Sequence, residues 1–382
     1  MTFLPAIGPD VCIRGGGIIG CTLALLLAQA RLRVALVSAP RSNHASQDVR
    51  AYALNPAAHQ LLESLRVWPD AQYATPVREM VIEGDAGGLV RFDAAREQTS
   101  ALAWIADVPA LEQRLAQALH FQPLIDVIEA PAPSTIAAPL TVICEGKASA
   151  TRAALGVRYA VTRYPHHAIA ARLRAERPHG GVARQWFDEH GEILALLPLG
   201  GVDAHDVALV WSVAAAHAPQ RVALDAEAFA AAVCTASHEA LGTLTLTSER
   251  TVWPLQRAMA ERWTGCMPGS RDAWVLAGDA AHTMHPLAGQ GLNAGLADVQ
   301  ALARILRERE DWRSVGDPRL LRSYERERRA GVLAMNLATD GLQQLFGRND
   351  AALPYLRNWG MRGFNRTRWL KSWMARQAMG VH

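Results

Sequence analysis

The stretch Trp274–Asp298 constrains the fold more than any other part of the chain. It opens with a short apolar run, Trp274 to Ala277, of strand length. A carboxylate, Asp279, follows at the point where open α/β sheets take ligands, the carboxyl end of a strand. Pro286 to Gly291 is a turn of small residues, and beyond it Leu292, Leu296, Val299, Leu302 and Ile305 recur at helical spacing. Gly289 and Gly291 leave the backbone bare enough to approach a flat or anionic group. The amides of Gly291, Leu292 and Asn293 open the helix, where its dipole favours negative charge. A merely capping aspartate needs neither the two glycines nor Pro286 and Asn293. The combination suits a bound dinucleotide such as a flavin.

The amino end carries a matching element. Asp10 to Arg14 reads as a strand, Gly15-Gly16-Gly17-Ile18-Ile19-Gly20 as its turn, Leu23, Leu26 and Leu27 as the buried side of a helix, and Val34 to Ser38 as a second strand. In such a βαβ unit Gly15 makes the turn, Gly17 admits a pyrophosphate and Gly20 lets helix and strand pack closely. Alone this pattern is weak; paired with the later Gly278-Asp279 it is strong. Two residues depart from the usual form. The second strand ends in Ser38 rather than the Glu or Asp that holds a ribose diol, and Arg14 replaces an apolar strand residue. Ser38 offers one hydrogen bond, so weak retention of the dinucleotide is expected.

Gly278-Asp279-Ala280-Ala281-His282, then His285-Pro286-Leu287-Ala288-Gly289-Gln290-Gly291-Leu292-Asn293 and Asp298, resembles the second flavin motif of the FAD-dependent aromatic hydroxylases (group A flavoprotein monooxygenases), and most closely their ubiquinone-biosynthesis branch. Further landmarks fall in the same order. Arg50 stands where the family places an arginine against the flavin's phosphates or ribityl chain. Glu145-Gly146-Lys147-Ala148-Ser149-Ala150-Thr151-Arg152 keeps the spacing of a segment implicated in pyrophosphate contact and NAD(P)H handling, with Glu145 in place of Asp. Tyr324-Glu325-Arg326 and Asn336 to Leu342 match the family's tail.

The resemblance implies an α/β fold. A discontinuous Rossmann-like FAD-binding domain (residues 1–70, 98–165 and 268–320) holds an inserted mixed β-sheet substrate domain (71–97 and 166–267), and a C-terminal helical region covers 321–382. It also implies the chemistry. NAD(P)H or another donor reduces FAD, O2 adds to give a flavin hydroperoxide, and a hydroxyl group passes to a phenol ring. The implied cofactor residues are Gly15, Gly17, Ile18, Ile19, Gly20, Ser38, Arg50, Glu145, Gly146, Arg152, Gly278, Asp279, Pro286, Gly289, Gln290, Gly291, Leu292 and Asn293. Pro286, Leu287 and Ala288 are the residues expected against the ring; no acid or base for the phenol is legible. The implied substrate is a lipophilic, polyprenylated phenol. A small soluble aromatic acid is the alternative, and a flavin-binding scaffold in a quinone-synthesis complex is a reading from a different class.

Composition narrows the rest. The 382 residues suffice for two domains, and a net charge of +3 is too small to argue for nucleic acid. Five cysteines without a Cys-x-x-Cys indicate neither a disulfide framework nor a cysteine metal site, which fits a reducing, cytoplasmic compartment. His282 and His285 lack further ligands at metal spacing, so no metal is expected. No signal peptide is read, and the apolar run Ile18–Ala30 is too short to span a bilayer. Residues 353–382 carry six basic side chains (Arg357, Arg362, Arg366, Arg368, Lys371, Arg376) and no acidic one, interleaved with Trp359, Phe364, Trp369 and Trp373. That pattern reads as a peripheral contact with the inner face of a membrane.

Overall fold

The computed structural model describes residues 8–39, 48–84, 88–130, 136–188, 191–284 and 290–347. The Val11–Arg14 strand lies at the centre of a six-stranded sheet. It is flanked on one side by Val34–Ser38 and then Ile125–Glu129, and on the other by Leu140–Ile143, Ala273–Leu276 and Thr264–Cys266. All neighbours run parallel except the last pair. Strands covered on both faces read as continuous apolar runs rather than alternating ones, and Leu140–Ile143 and Ala273–Leu276 are buried throughout. The helix Ile18–Gln29 is buried at nine positions because the helices Val108–His120 and Gln290–Arg307 pack against it. Helix starts carry the side-chain caps their sequences suggest. Asn55, Asp107, Ser149 and Asp225 each accept a bond from the backbone amide three residues on.

A second, nine-stranded sheet is built around one 17-residue strand, Tyr159–Ala175. Its pairings are antiparallel except between Val182–Phe187 and Glu79–Glu83. The long strand starts beside the six-stranded sheet and crosses into the second, with a register shift between Arg163 and His167 where Pro165 interrupts the ladder. Strand alternation then divides its contacts. Ile169, Ala171, Leu173, Trp186, Leu194, Trp211 and Val213 pack on Phe229 and Val233 of the helix Ala226–Ala236. Ala183, Leu199 and Ala208 face the other way, onto Val77, Ala103 and Ile105. Those belong to a three-stranded antiparallel sheet, Ala51–Leu54, Ala103–Asp107 and Ala74–Val77.

Two elements exceed their expected bounds. The strand expected at Thr251–Leu255 continues to Ala260 because it pairs with Tyr159–Arg163. The charged helix expected from Ser323 begins at Pro318 and runs to Gly347. Among the described residues no helix is long and apolar enough to cross a membrane. The basic segment 353–382 lies outside the described residues.

Candidate active site at the glycine turn

The crevice beside Val11–Arg14 is where strand order reverses, between Val34–Ser38 and Leu140–Ile143, the place open α/β sheets put ligands. Gly15 turns there at φ +113°, and a Cβ on it would lie 2.3 Å from the Cys144 carbonyl oxygen. A Cβ on Gly20 would lie 1.9 Å from the Gly15 carbonyl oxygen, so helix and turn touch through backbone alone. Gly17 is different: among the described residues nothing lies within 4 Å of the position its Cβ would take. It begins the helix Ile18–Gln29 with no side-chain cap. Its open side and the uncapped amides of Ile18 and Ile19 form a cradle for an anion.

The distant motif closes on this cradle. A Cβ on Gly278 would lie 3.3 Å from Ile19, and one on Gly295 would lie 2.7 Å from the same side chain. Ile19 is therefore keyed between the strand end and the helix Gln290–Arg307. Gly278 is held by its amide, which donates to Asp298 Oδ2 at 3.0 Å. The same oxygen contacts His282 Nε2 at 2.7 Å, and Arg328 Nε donates to Oδ1 at 2.8 Å. Burial pushes the Asp298 carboxyl up, but His282 and Arg328 outweigh it and hold it below the usual carboxylate range. His282 is thus committed to Asp298 and stacks on Trp263 with ring centroids 5.1 Å apart. Among the described residues no His, Cys, Asp and Glu group is arranged to hold a metal ion.

Asp279 is half-buried, and among the described residues its carboxylate has no hydrogen-bond partner. Burial raises its pKa, with His282 and Lys147 pulling it back. Its backbone is anchored, for the Tyr159 hydroxyl donates to the Asp279 carbonyl at 2.7 Å. Arg152, a buried cation, lies 3.7 Å over the Tyr159 ring and donates to the carbonyls of Ala280 and Lys147 at 3.0 and 2.7 Å. Its guanidinium braces the Asp279 loop rather than presenting itself to an anion.

Sequence reading treated Arg14 and Glu145 as two separate oddities, and they are one feature. Arg14 Nε lies 3.3 Å from Glu145 Oε1, each side chain about one-fifth exposed. The Glu145 carboxylate also accepts from the Ser149 hydroxyl at 2.8 Å, the Thr151 hydroxyl at 2.7 Å and the Thr151 amide at 3.0 Å. Burial opposes its ionisation, but these bonds and Arg14 keep it a carboxylate. Gly146, at φ +76° and with open space around it, follows immediately.

The third wall is the segment before the strand Ala51–Leu54. Arg50 makes a fork to Asp48, Nε to Oδ1 at 2.9 Å and Nη2 to Oδ2 at 2.5 Å. Tyr52 sits beside Arg50 and within electrostatic reach of Asp279, its phenol raised mainly by burial. Sequence reasoning passed over Tyr52, because a tyrosine in a strand carries no signal of what it faces. The helix Gln290–Arg307 secures this wall through Asn293, whose Oδ1 accepts from the Asn55 amide at 3.0 Å and whose Nδ2 donates to the Ala53 carbonyl at 2.8 Å. Gly291 meets nothing within 4 Å among the described residues, while Gln290 and Leu292 are half-buried at the helix start. Pro286, Leu287, Ala288 and Gly289, with His285, lie outside the described residues. Ser38 points at Gly16, where an added Cβ would lie 2.2 Å from its Oγ.

Comparison with known proteins identifies the cofactor of this chain. The family model described as FAD binding domain matches residues 120–338. The ubiquinone hydroxylase of Rhodospirillum rubrum is 30% identical, over 97% of this chain and 90% of its own. The chain belongs to the FAD-dependent monooxygenases, in the ubiquinone-biosynthesis hydroxylase branch. The 3-demethoxyubiquinol 3-hydroxylase of Escherichia coli is 29% identical over 97% of this chain and 98% of its own. Among solved structures, the p-nitrophenol 4-monooxygenase of Pseudomonas putida superposes with TM-score 0.75 at 16% identity, covering 97% of this chain and 98% of that one. At that identity the likeness speaks to fold alone. FAD is the cofactor of this monooxygenase, and NAD(P)H is the donor typical of its family. The residues present fit that cofactor: an uncapped helix start for its pyrophosphate, a bare glycine edge beside it, and an uncommitted carboxylate, Asp279, for hydroxyl groups.

Proposed function

We propose that this monooxygenase hydroxylates the ring of a polyprenylated phenol during ubiquinone biosynthesis, with NAD(P)H as donor and O2 as oxidant. One oxygen atom enters the ring carbon–hydrogen bond to give a second hydroxyl, and the other leaves as water with two electrons from NAD(P)H. The observation that carries the reading is the meeting of Gly15–Gly20, Gly278–Asp279 and Arg50–Tyr52 around one open cradle, in a chain whose full-length relatives bear ubiquinone-hydroxylase names.

When bound, FAD supplies the oxygen-activating chemistry. This chain's residues bind and orient it. Gly17, Ile18 and Ile19 would hold its pyrophosphate, Asp279 its ribityl hydroxyls, and the Gly291–Asn293 helix start the anionic edge of its ring. Arg152, Glu145 and Asn293 would position these groups; Pro286–Ala288, expected against the ring, lie outside the described residues. The domain division given above is part of this proposal.

A lipophilic phenol is favoured over a small aromatic acid by the sheet face opposite the three-stranded sheet. Ala168, Ala170 and Ala208 there are buried and small. Strand alternation puts Arg172 on the same face, but its Nη2 lies 2.6 Å from Asp107 and its other bonds go to the carbonyls of Asp48 and Val49. It is committed, so a substrate carboxylate finds no free cation in it. Purified protein given NAD(P)H, O2 and a prenylated quinone-precursor phenol is expected to yield product heavier by one oxygen, with donor consumed in equal amount. Donor consumption that ends only in hydrogen peroxide, or no turnover by flavin-loaded protein, would favour the scaffold reading.

A peripheral membrane contact belongs to the same proposal. Arg319, Arg322 and Arg326 share one face of the helix Pro318–Gly347 and are exposed, and their guanidinium groups have no carboxylate partner among the described residues. Their helix precedes the basic, aromatic segment 353–382 in the sequence. Flotation with anionic vesicles is expected to retain the full chain and to lose it when that segment is removed; equal flotation of both refutes the contact.

A further inference from the structure

The adenosine ribose presents a vicinal diol, two hydroxyl donors that one carboxylate accepts together. Ser38 cannot supply this, and its hydroxyl already donates to the Ala39 carbonyl at 3.1 Å. Residues 39–47 contain no acidic side chain. The remaining carboxylates at this edge of the sheet are Asp48, Glu145, Asp279 and Glu129. Asp48 is forked to Arg50, and Glu145 is held by Arg14, Ser149 and Thr151. Asp279 lies on the far side of the glycine turn, beside Tyr159 and Gly278.

Apart from Asp279, which lies beyond the turn, Glu129 is the one of these four without a partner among the described residues. It ends the strand Ile125–Glu129, is exposed, and has no hydrogen-bond or ion-pair partner among the described residues. It is the direct parallel partner of Ser38, locked in register by the Ala130 amide donating to the Ser38 carbonyl at 2.8 Å. Parallel partners project to the same face of a sheet. The Ser38 side chain on that face touches the glycine turn at Gly16. The terminal oxygens of a glutamate lie two bonds further from Cα than that of a serine, so a carboxylate one strand out reaches toward the edge that Ser38 leaves bare.

We propose that Glu129 takes the place of the missing carboxylate and binds the adenosine half of FAD, with the ribose diol as its ligand. This rests on the FAD assignment and deepens it: the acid has moved one strand outward, and the small Ser38 beside Gly16 leaves it room.

The test is FAD affinity, measured by ultrafiltration of purified holoprotein across a dilution series, with FMN as a competitor lacking the adenosine. Glu129→Gln is expected to raise the FAD Kd about tenfold or more, the loss of charge-assisted hydrogen bonds, and to leave FMN affinity unchanged. Ser38→Glu in the Glu129→Gln background is expected to restore FAD affinity to within about threefold of the starting protein. Equal FAD affinity in Glu129→Gln and the unaltered chain overturns the proposal, as does an equal loss for FMN. An unaltered chain that takes up no FAD overturns the cofactor assignment itself and this proposal with it.

Discussion

Gly15 and Gly17 are neighbours but two apart, and they do opposite work. A side chain on Gly15 meets the backbone of Cys144 and must also adopt φ +113°. A side chain on Gly17 meets nothing among the described residues. Gly15→Ala is therefore expected to destabilise the fold by about 2 kcal/mol or more, seen in thermal unfolding without added FAD. Gly17→Ala is expected to leave that unfolding unchanged while FAD affinity falls at least tenfold, because the methyl group fills pyrophosphate space. If both variants lose stability alike, the open cradle is not a ligand site. Neither difference is visible in the motif, which writes the two glycines identically.

The elements meet through a few long-range ties. Arg172, from the nine-stranded sheet, reaches Asp107 at the head of the helix Val108–His120 and the carbonyls of Asp48 and Val49. It thus steadies the segment that carries Arg50. Both partners keep some exposure, 28% for Arg172 and 12% for Asp107. The expected cost of Arg172→Gln is accordingly about 1–2 kcal/mol, below that of breaking a fully buried pair. Hydrogen exchange is expected to quicken around residues 48–50 and 107–110 and to stay unchanged in the helix Ala226–Ala236. Uniform loss of protection would mean that Arg172 supports the whole sheet and not this segment.

For the whole molecule, acid stability follows from carboxylates held below their ordinary values. Asp298, Glu145 and Asp48 are all depressed, each against an opposing burial effect. A depressed carboxylate contributes stability that is complete above its unfolded pKa and lost as pH falls through its folded one. Asp279 is raised, so its ionisation subtracts stability and acid relieves that cost. With these carboxylates outweighing Asp279, the thermal midpoint is expected to be highest near neutral pH, to decline gently below about pH 6.5 as His59, His166 and His179, held below their ordinary value by burial, take up protons, and to fall steeply below about pH 4. Asp298→Asn is expected to lower the plateau by about 3 kcal/mol, because Arg328 and the Gly278 amide lose their charged acceptor, and to shallow the acid slope. An unaltered slope would assign acid sensitivity elsewhere.

The sequence by itself determined the fold class, the cofactor and most of the strand and helix positions. The Gly15–Gly20 turn, the Gly278–Asn293 motif and the apolar runs are local signals, each set by backbone geometry and periodicity within some twenty residues. It did not determine which side chains answer one another. Arg14 and Glu145 are 131 residues apart and pair across neighbouring strands, so two departures from the family pattern cancel. Arg152 braces a loop 128 residues away, and Asn293 holds a strand 240 residues away. Tyr52 and Glu129 acquire a role only when the fold brings one within electrostatic reach of Asp279 and strand register sets the other opposite Ser38. Polar side chains take their partners from whatever the packed strands set opposite them, and that juxtaposition has no periodicity for a linear reading to detect.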